Sequence, residues 1–135
     1  LFPYEEADVA AAAQFMADHA AAKAMIFDIR THRGGGLAQI DEIFAWLHAE
    51  PQRLVSMAMR RSVEEAMMRE AGIEPGGPPP PGPPSLRFTS GPPQEAIREH
   101  WSAPNGDPRL HDTRIYLLTS PRTASAAEHF AFAMK

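Results

Sequence analysis

The 135-residue sequence contains no cysteine, which excludes disulfides, thiolate nucleophiles and cysteine-based zinc sites. It has no surplus of positive charge. Thirteen Lys and Arg stand against 17 Asp and Glu, a net charge of −4, so no basic surface recommends nucleic acid as a partner. It lacks an apolar run long enough to span a bilayer, because Asp18, His19 and Lys23 interrupt the one Ala-rich stretch. None of the six histidines pairs with another at helical spacing, and no His-Glu-x-x-His occurs; neither a metal site nor a cofactor is expected. The chain opens on Leu1-Phe2-Pro3-Tyr4-Glu5-Glu6, with neither an initiating Met nor a leader peptide, and stops at Met134-Lys135 inside a helical pattern. It therefore reads as part of a longer sequence.

What is present suits a globular domain with a core, since 44% of residues are hydrophobic. Glu5 to Ala22 is Ala-rich with an apolar stripe, which predicts a helix. Ala24 to Ile29 is a short apolar run without clean alternation, expected as a strand buried on both faces. Leu37 to His48 predicts an amphipathic helix ended by Pro51, and Leu54 to Met59 a strand. That rhythm of strand, turn, helix and strand predicts an α/β domain with βαβ crossovers. A short helix over Arg61 to Ala71 follows. Glu74 to Pro84 then breaks the composition with Pro and Gly, so residues 74–93 are expected to form a semi-rigid surface insertion. Leu86 to Thr89 reads as an edge strand, Gln94 to Trp101 as one or two helical turns, Arg114 to Thr119 as a strand, and Ser125 to Lys135 as the last helix.

Two segments carry the chemistry. After the last strand, Ser125 opens a helix among the small residues Ala124, Ala126 and Ala127, a position from which its hydroxyl and the Ala126 N–H face one spot. Ser125 and Glu128 also fit a capping box, and the two roles are compatible. After the first strand, Gly34-Gly35-Gly36 supplies backbone able to adopt positive φ, suited to an oxyanion site, a phosphate cradle or a tight turn. No Lys-Ser/Thr follows the triplet, which argues against a P-loop. His32 lies in the same turn, as a loop-capping residue or a site neighbour. Asp28 and Arg30 are spaced to pin the loop by hydrogen bonds.

Asp28-Ile29-Arg30-Thr31-His32-Arg33-Gly34-Gly35 resembles the Asp-Leu-Arg-x-Asn-x-Gly-Gly motif of the tail-specific (C-terminal-processing) serine peptidases. Leu118-Thr119-Ser120 through Thr123-Ala124-Ser125-Ala126-Ala127-Glu128 resembles that family's Thr-x-Ser-Ala-x-Glu segment, in wording similar to the branch of interphotoreceptor retinoid-binding protein. The resemblance implies a ClpP/crotonase-like β/α spiral core, incomplete here, with residues 1–135 forming part of a catalytic domain. It implies a serine endopeptidase with Ser125 as nucleophile and an oxyanion hole from Ala126 together with Gly34 or Gly35. The substrate would be a polypeptide and the general base would lie past residue 135; Lys135 is too near Ser125 to match it. His32 replaces the pattern's Asn, which leads one to expect a differently shaped turn. A periplasmic or other extracytoplasmic location accords with the resemblance. The rival reading is a non-catalytic binding domain for an apolar ligand on the same scaffold, with Phe44, Trp46 and Phe132 lining its pocket. Oligomeric state is left open.

Overall fold

The computed structural model describes residues 6–77, 83–89 and 91–135. In chain order the elements are α1 (Glu6–Asp18), β1 (Ala24–Asp28), α2 (Ala38–Leu47), β2 (Arg53–Arg60), α3 (Arg61–Glu70), β3 (Leu86–Thr89), β4 (Glu95–Trp101), a 3₁₀ turn (Pro108–Leu110), β5 (Arg114–Leu118) and α4 (Ala126–Ala133). They form two compact units: Leu1–Gln52 with Ser102–Lys135, and Arg53–Trp101. Helices combine with a parallel and an antiparallel sheet, a mixed α/β architecture. Among the described residues no helix is long and apolar enough to cross a membrane.

The first unit is built on β1 and β5, which pair in parallel with Ala24 opposite Arg114 and Asp28 opposite Leu118. One face of this pair is covered. Met25 is buried together with Met16, Ala20 and Leu110, while Phe27 meets the Phe130 ring edge-on at 5.3 Å. Ile40 and Phe44 bury the inner stripe of α2, with Phe44 tilted against Phe130 at 5.6 Å. Such rings contribute most of a small core's apolar burial, and their tilted contacts add about 0.5–1.5 kcal/mol each. The other face carries Ile26 and Tyr116, exposed by 68% and 51%. This corrects the expectation of a strand covered on both sides: β1 alternates inward and outward although four of its five residues are apolar. Where the chain leaves this unit and returns, Ser102 N–H donates to the Gln52 carbonyl at 2.9 Å, and Gln52 N–H to Ser102 Oγ at 2.9 Å.

The second unit is an antiparallel sheet in the order β2-β4-β3, with α3 contributed from the same segment. Two expectations fail here. β2 does not join β1's sheet, so the first strand, helix and second strand are not a βαβ unit; β2 pairs antiparallel with β4 instead. Its sequence explains why: Arg53, Ser56 and Arg60 leave it only one partly apolar face, whereas a strand inside a parallel sheet needs two. The helical turns expected over Gln94 to Trp101 are the central strand β4. Pairing on both edges satisfies its backbone and outweighs the helix propensity of Gln, Glu and Ala. The strand's buried residues, Ala96 and His100, are four apart, a spacing that puts them on one face of a strand and of a helix alike. Ion pairs Arg53–Glu99 at 2.8 Å and Arg98–Glu64 at 3.1 Å decorate the unit. Leu86–Thr89 is an edge strand, as expected, and residues 78–82 of the Pro-rich stretch lie outside the described residues.

Candidate active site

Parallel pairing puts the ends of β1 and β5 side by side, so the turns that follow them leave the same end of the sheet. Hydrogen bonds then fasten the two turns step by step. Ile29 N–H donates to the Leu118 carbonyl at 3.0 Å, extending the ladder past the strands. Thr123 Oγ1 donates to the Ile29 carbonyl at 2.9 Å, and the Ser120 hydroxyl donates to the Arg30 carbonyl. Ala124 N–H donates to the His32 carbonyl at 3.1 Å. Ser120 and Thr123 are themselves held in a hydroxyl-capped turn, with Ser120 N–H donating to Thr123 Oγ1 at 3.0 Å and Arg122 N–H to Ser120 Oγ at 3.0 Å. Sequence reasoning missed this fastening; its signal is the pair of hydroxyl residues three apart in Thr-Ser-x-Arg-Thr.

Ser125 ends the second turn with φ 55° and ψ −124°, the one non-glycine residue at positive φ among the described residues. Ala127 N–H closes the turn onto the Ala124 carbonyl at 3.1 Å. These angles are those of the first central position of a type II′ turn, about +60° and −120°, where glycine is the preferred residue. Holding a side chain there costs about 1–3 kcal/mol. The side chain is exposed rather than buried. Glu128 supports the strained backbone from within α4, its Oε2 accepting Ser125 N–H at 2.6 Å, which is the expected capping-box interaction. Ala126 is the first residue of α4, so its N–H has no acceptor within the helix. Ala126 and Ala127 are both buried and small, which lets the turn sit close to the sheet end.

The glycine turn meets the serine turn directly. A Cβ placed on Gly34 would lie 2.6 Å from Ser125 Cβ, 3.0 Å from Ser125 Oγ and 3.1 Å from the Ala124 carbonyl oxygen. No side chain fits that gap. Gly34 and Gly35 also take φ 107° and 151°, a backbone that L-residues rarely adopt. Gly34 N–H donates to His32 Nδ1 at 3.1 Å, so His32 caps its own loop, as expected. Burial holds the His32 imidazole below the ordinary histidine pKa, which favours the neutral ring that such an acceptor requires. Asp28 and Arg30 form the expected local clamp at the head of this turn, with Asp28 accepting from Arg30 Nε at 2.9 Å and from its Nη2 at 2.7 Å. The guanidinium and the Arg30 N–H hold the Asp28 carboxyl at about 2.

The residues offered for an apolar ligand pocket are not brought together. Phe44 is buried against Phe130, whereas Trp46 packs on the cluster of Met16, Ala20, Met25 and Leu110, with Nε1 donating to Glu42 at 3.2 Å. Phe132 is exposed and borders a cavity of about 600 Å³ with Ile115, Leu117, Thr123, Glu128 and Lys135.

Residues 4–135 match the family model described as peptidase family S41. No curated protein and no solved structure matches the chain.

Proposed function

The chain belongs to peptidase family S41, a serine peptidase family, and on that premise we propose that Ser125 is the nucleophile of a serine endopeptidase. The observation that carries this reading is the approach of Gly34 to Ser125, with the serine held at φ 55°. A strained turn that presents an exposed hydroxyl at a helix N-terminus is a nucleophile's setting. We further read the chain as a tail-specific peptidase of the retinoid-binding-protein branch, with residues 1–135 as part of a ClpP/crotonase-like spiral domain and residues 74–93 as an insertion in it.

In this reading Ser125 Oγ attacks the carbonyl carbon of a substrate peptide bond. The hydroxyl proton passes to a base contributed by sequence beyond residue 135. As the C–O bond forms, negative charge develops on the carbonyl oxygen and is received by backbone N–H groups. Ala126 supplies one. Gly35 supplies the other, because Gly34 N–H is committed to His32 Nδ1 and Ser125 N–H to Glu128. The C–N bond then breaks, the proton moves to the departing amine, and water hydrolyses the acyl-serine ester. Each oxyanion donor is worth about 10²–10³ in rate.

The test uses the full-length protein. A fluorophosphonate probe is expected to label Ser125, located by mass spectrometry, and Ser125→Ala is expected to abolish peptide hydrolysis while the protein still folds. Hydrolysis by the alanine variant at the wild-type rate would refute the assignment. Absence of labelling, with tight binding of an apolar ligand, would favour the binding-domain reading instead.

A further inference from the structure

His32 hydrogen-bonds to both turns, to the serine turn through its backbone and to the glycine turn through its ring. Its N–H donates to the Ile29 carbonyl at 3.1 Å, anchoring it to the end of β1. Its carbonyl accepts the N–H of Ala124, the residue before Ser125, at 3.1 Å. Its ring Nδ1 accepts the N–H of Gly34, the residue packed on the Ser125 side chain, at 3.1 Å. The backbone of His32 thus holds the serine turn while its ring holds the glycine turn.

We infer that His32 is a positioning residue for the Ser125 reaction: its neutral imidazole fixes the Gly34 peptide against Ser125 and thereby sets where the Gly35 N–H points. This rests on the reading of Ser125 as nucleophile. The chemistry is specific. Gly34 tolerates no Cβ and has positive φ, so nothing on the glycine itself can lock the turn. An acceptor two residues earlier must do so, and imidazole offers one only while Nδ1 is unprotonated, which in the neutral ring places the proton on Nε2. Any side chain with an acceptor at the δ position can take the same N–H. Asn carries Oδ1 at that reach; Leu has the bulk but no acceptor.

Three measurements on the full-length protein test this. Nitrogen-15 NMR of the His32 ring is expected to show Nδ1 bare and Nε2 protonated in the neutral form; the opposite tautomer would overturn the inference. His32→Leu is expected to lower kcat roughly ten- to a hundredfold with KM nearly unchanged, the size of effect that a misplacement of about 1 Å in a reacting site produces. His32→Asn is expected to recover kcat to within a few fold. Unchanged kcat in His32→Leu, or equal losses in the leucine and asparagine variants, would also overturn it. If His32→Leu fails to fold, the tautomer and the asparagine variant still decide. Failure of the underlying reading is distinguishable, because it appears as hydrolysis by Ser125→Ala whatever His32 does.

Discussion

The turns after β1 and β5 leave the same end of one parallel pair, and both need backbone in the left-handed half of φ space. The first meets that need with glycine, Gly34 at φ 107° and Gly35 at 151°. The second meets it with serine, at φ 55°. In the first turn the choice of residue follows from geometry alone, since a Cβ on Gly34 would strike Ser125 at 2.6 Å. In the second, geometry favours glycine too, and a side chain is nevertheless present and exposed. On the function proposed above, a residue that keeps its side chain at a conformational cost, where a neighbour has given its own up, is kept for its hydroxyl. Close contact accounts for Gly34; the capping box with Glu128 accounts for part of what Ser125 does, and the proposed nucleophile role would account for the rest.

The largest effect expected from breaking this contrast is at Gly34. Gly34→Ala must displace Ser125 Cβ, Ser125 Oγ or the Ala124 carbonyl, and must also accept φ 107°. A loss of about 2–4 kcal/mol in folding stability is expected, combining overpacking with backbone strain. Fluorophosphonate labelling of Ser125 should be lost with it. Gly106→Ala is the matched control. Gly106 also has positive φ, 84°, but nothing lies within 4 Å of its added Cβ, so only a conformational cost of about 1 kcal/mol applies. Equal destabilisation of the two variants, measured by urea unfolding, would show that contact between the turns has no weight.

The serine side of the contrast predicts a smaller effect of opposite sign. Ser125→Gly relieves strain of about 1–3 kcal/mol, offset by about 0.5–1 kcal/mol of extra chain entropy in the unfolded state. Ser125→Ala removes the same hydroxyl but keeps Cβ, and so keeps the strain. Both variants are expected to be inactive, yet the glycine variant should be the more stable by about 1 kcal/mol, a few degrees in Tm. If alanine proves as stable as glycine, the conformation at position 125 is not strained, and the argument from its cost fails.

The two turns were legible in the sequence because their signals are local. A short apolar run leading into Gly34-Gly35-Gly36, and another leading into Ser125 among alanines, specify strand, turn and helix within about a dozen residues. The capping by Glu128, the Asp28–Arg30 clamp and the loop-capping of His32 are short-range as well, spanning two or three residues each. What was not legible is non-local. Nothing in Arg53–Arg60 names its partner, and the pairing with β4 lies across about forty residues of chain. β4 itself is helix-like in composition, and only the two strands flanking it decide otherwise. The positive φ of Ser125 was also hidden, because serine does not announce a conformation that glycine prefers. The spacing of Ser125 and Glu128 also fits an ordinary capping box, and the structure contains that box.

The finest distinction between the turns concerns how each is fastened at its head. The serine turn uses the neutral hydroxyls of Ser120 and Thr123, whereas the glycine turn uses the ion pair of Asp28 and Arg30. Acid should therefore loosen only one of them. The Asp28 carboxyl is held at about 2 against an ordinary 3.8, so its pKa is lower in the folded chain than in the unfolded one. A depressed carboxylate contributes stability that is fully present above the unfolded value and is lost as pH falls through the folded one. The contribution should thus stand unchanged above about pH 4 and fade between there and about pH 2. It is small, because both partners are largely exposed and water screens them. Carbon-13 NMR of the Asp28 carboxyl is expected to show a midpoint near 2, with the Ser120 and Thr123 amide signals, which are bonded within the serine turn, unmoved over the same range. In Arg30→Gln the midpoint should return toward the ordinary aspartate value. A wild-type midpoint already near 3.8 would mean that the clamp does not form in solution, and that the glycine turn depends on His32 and the backbone alone.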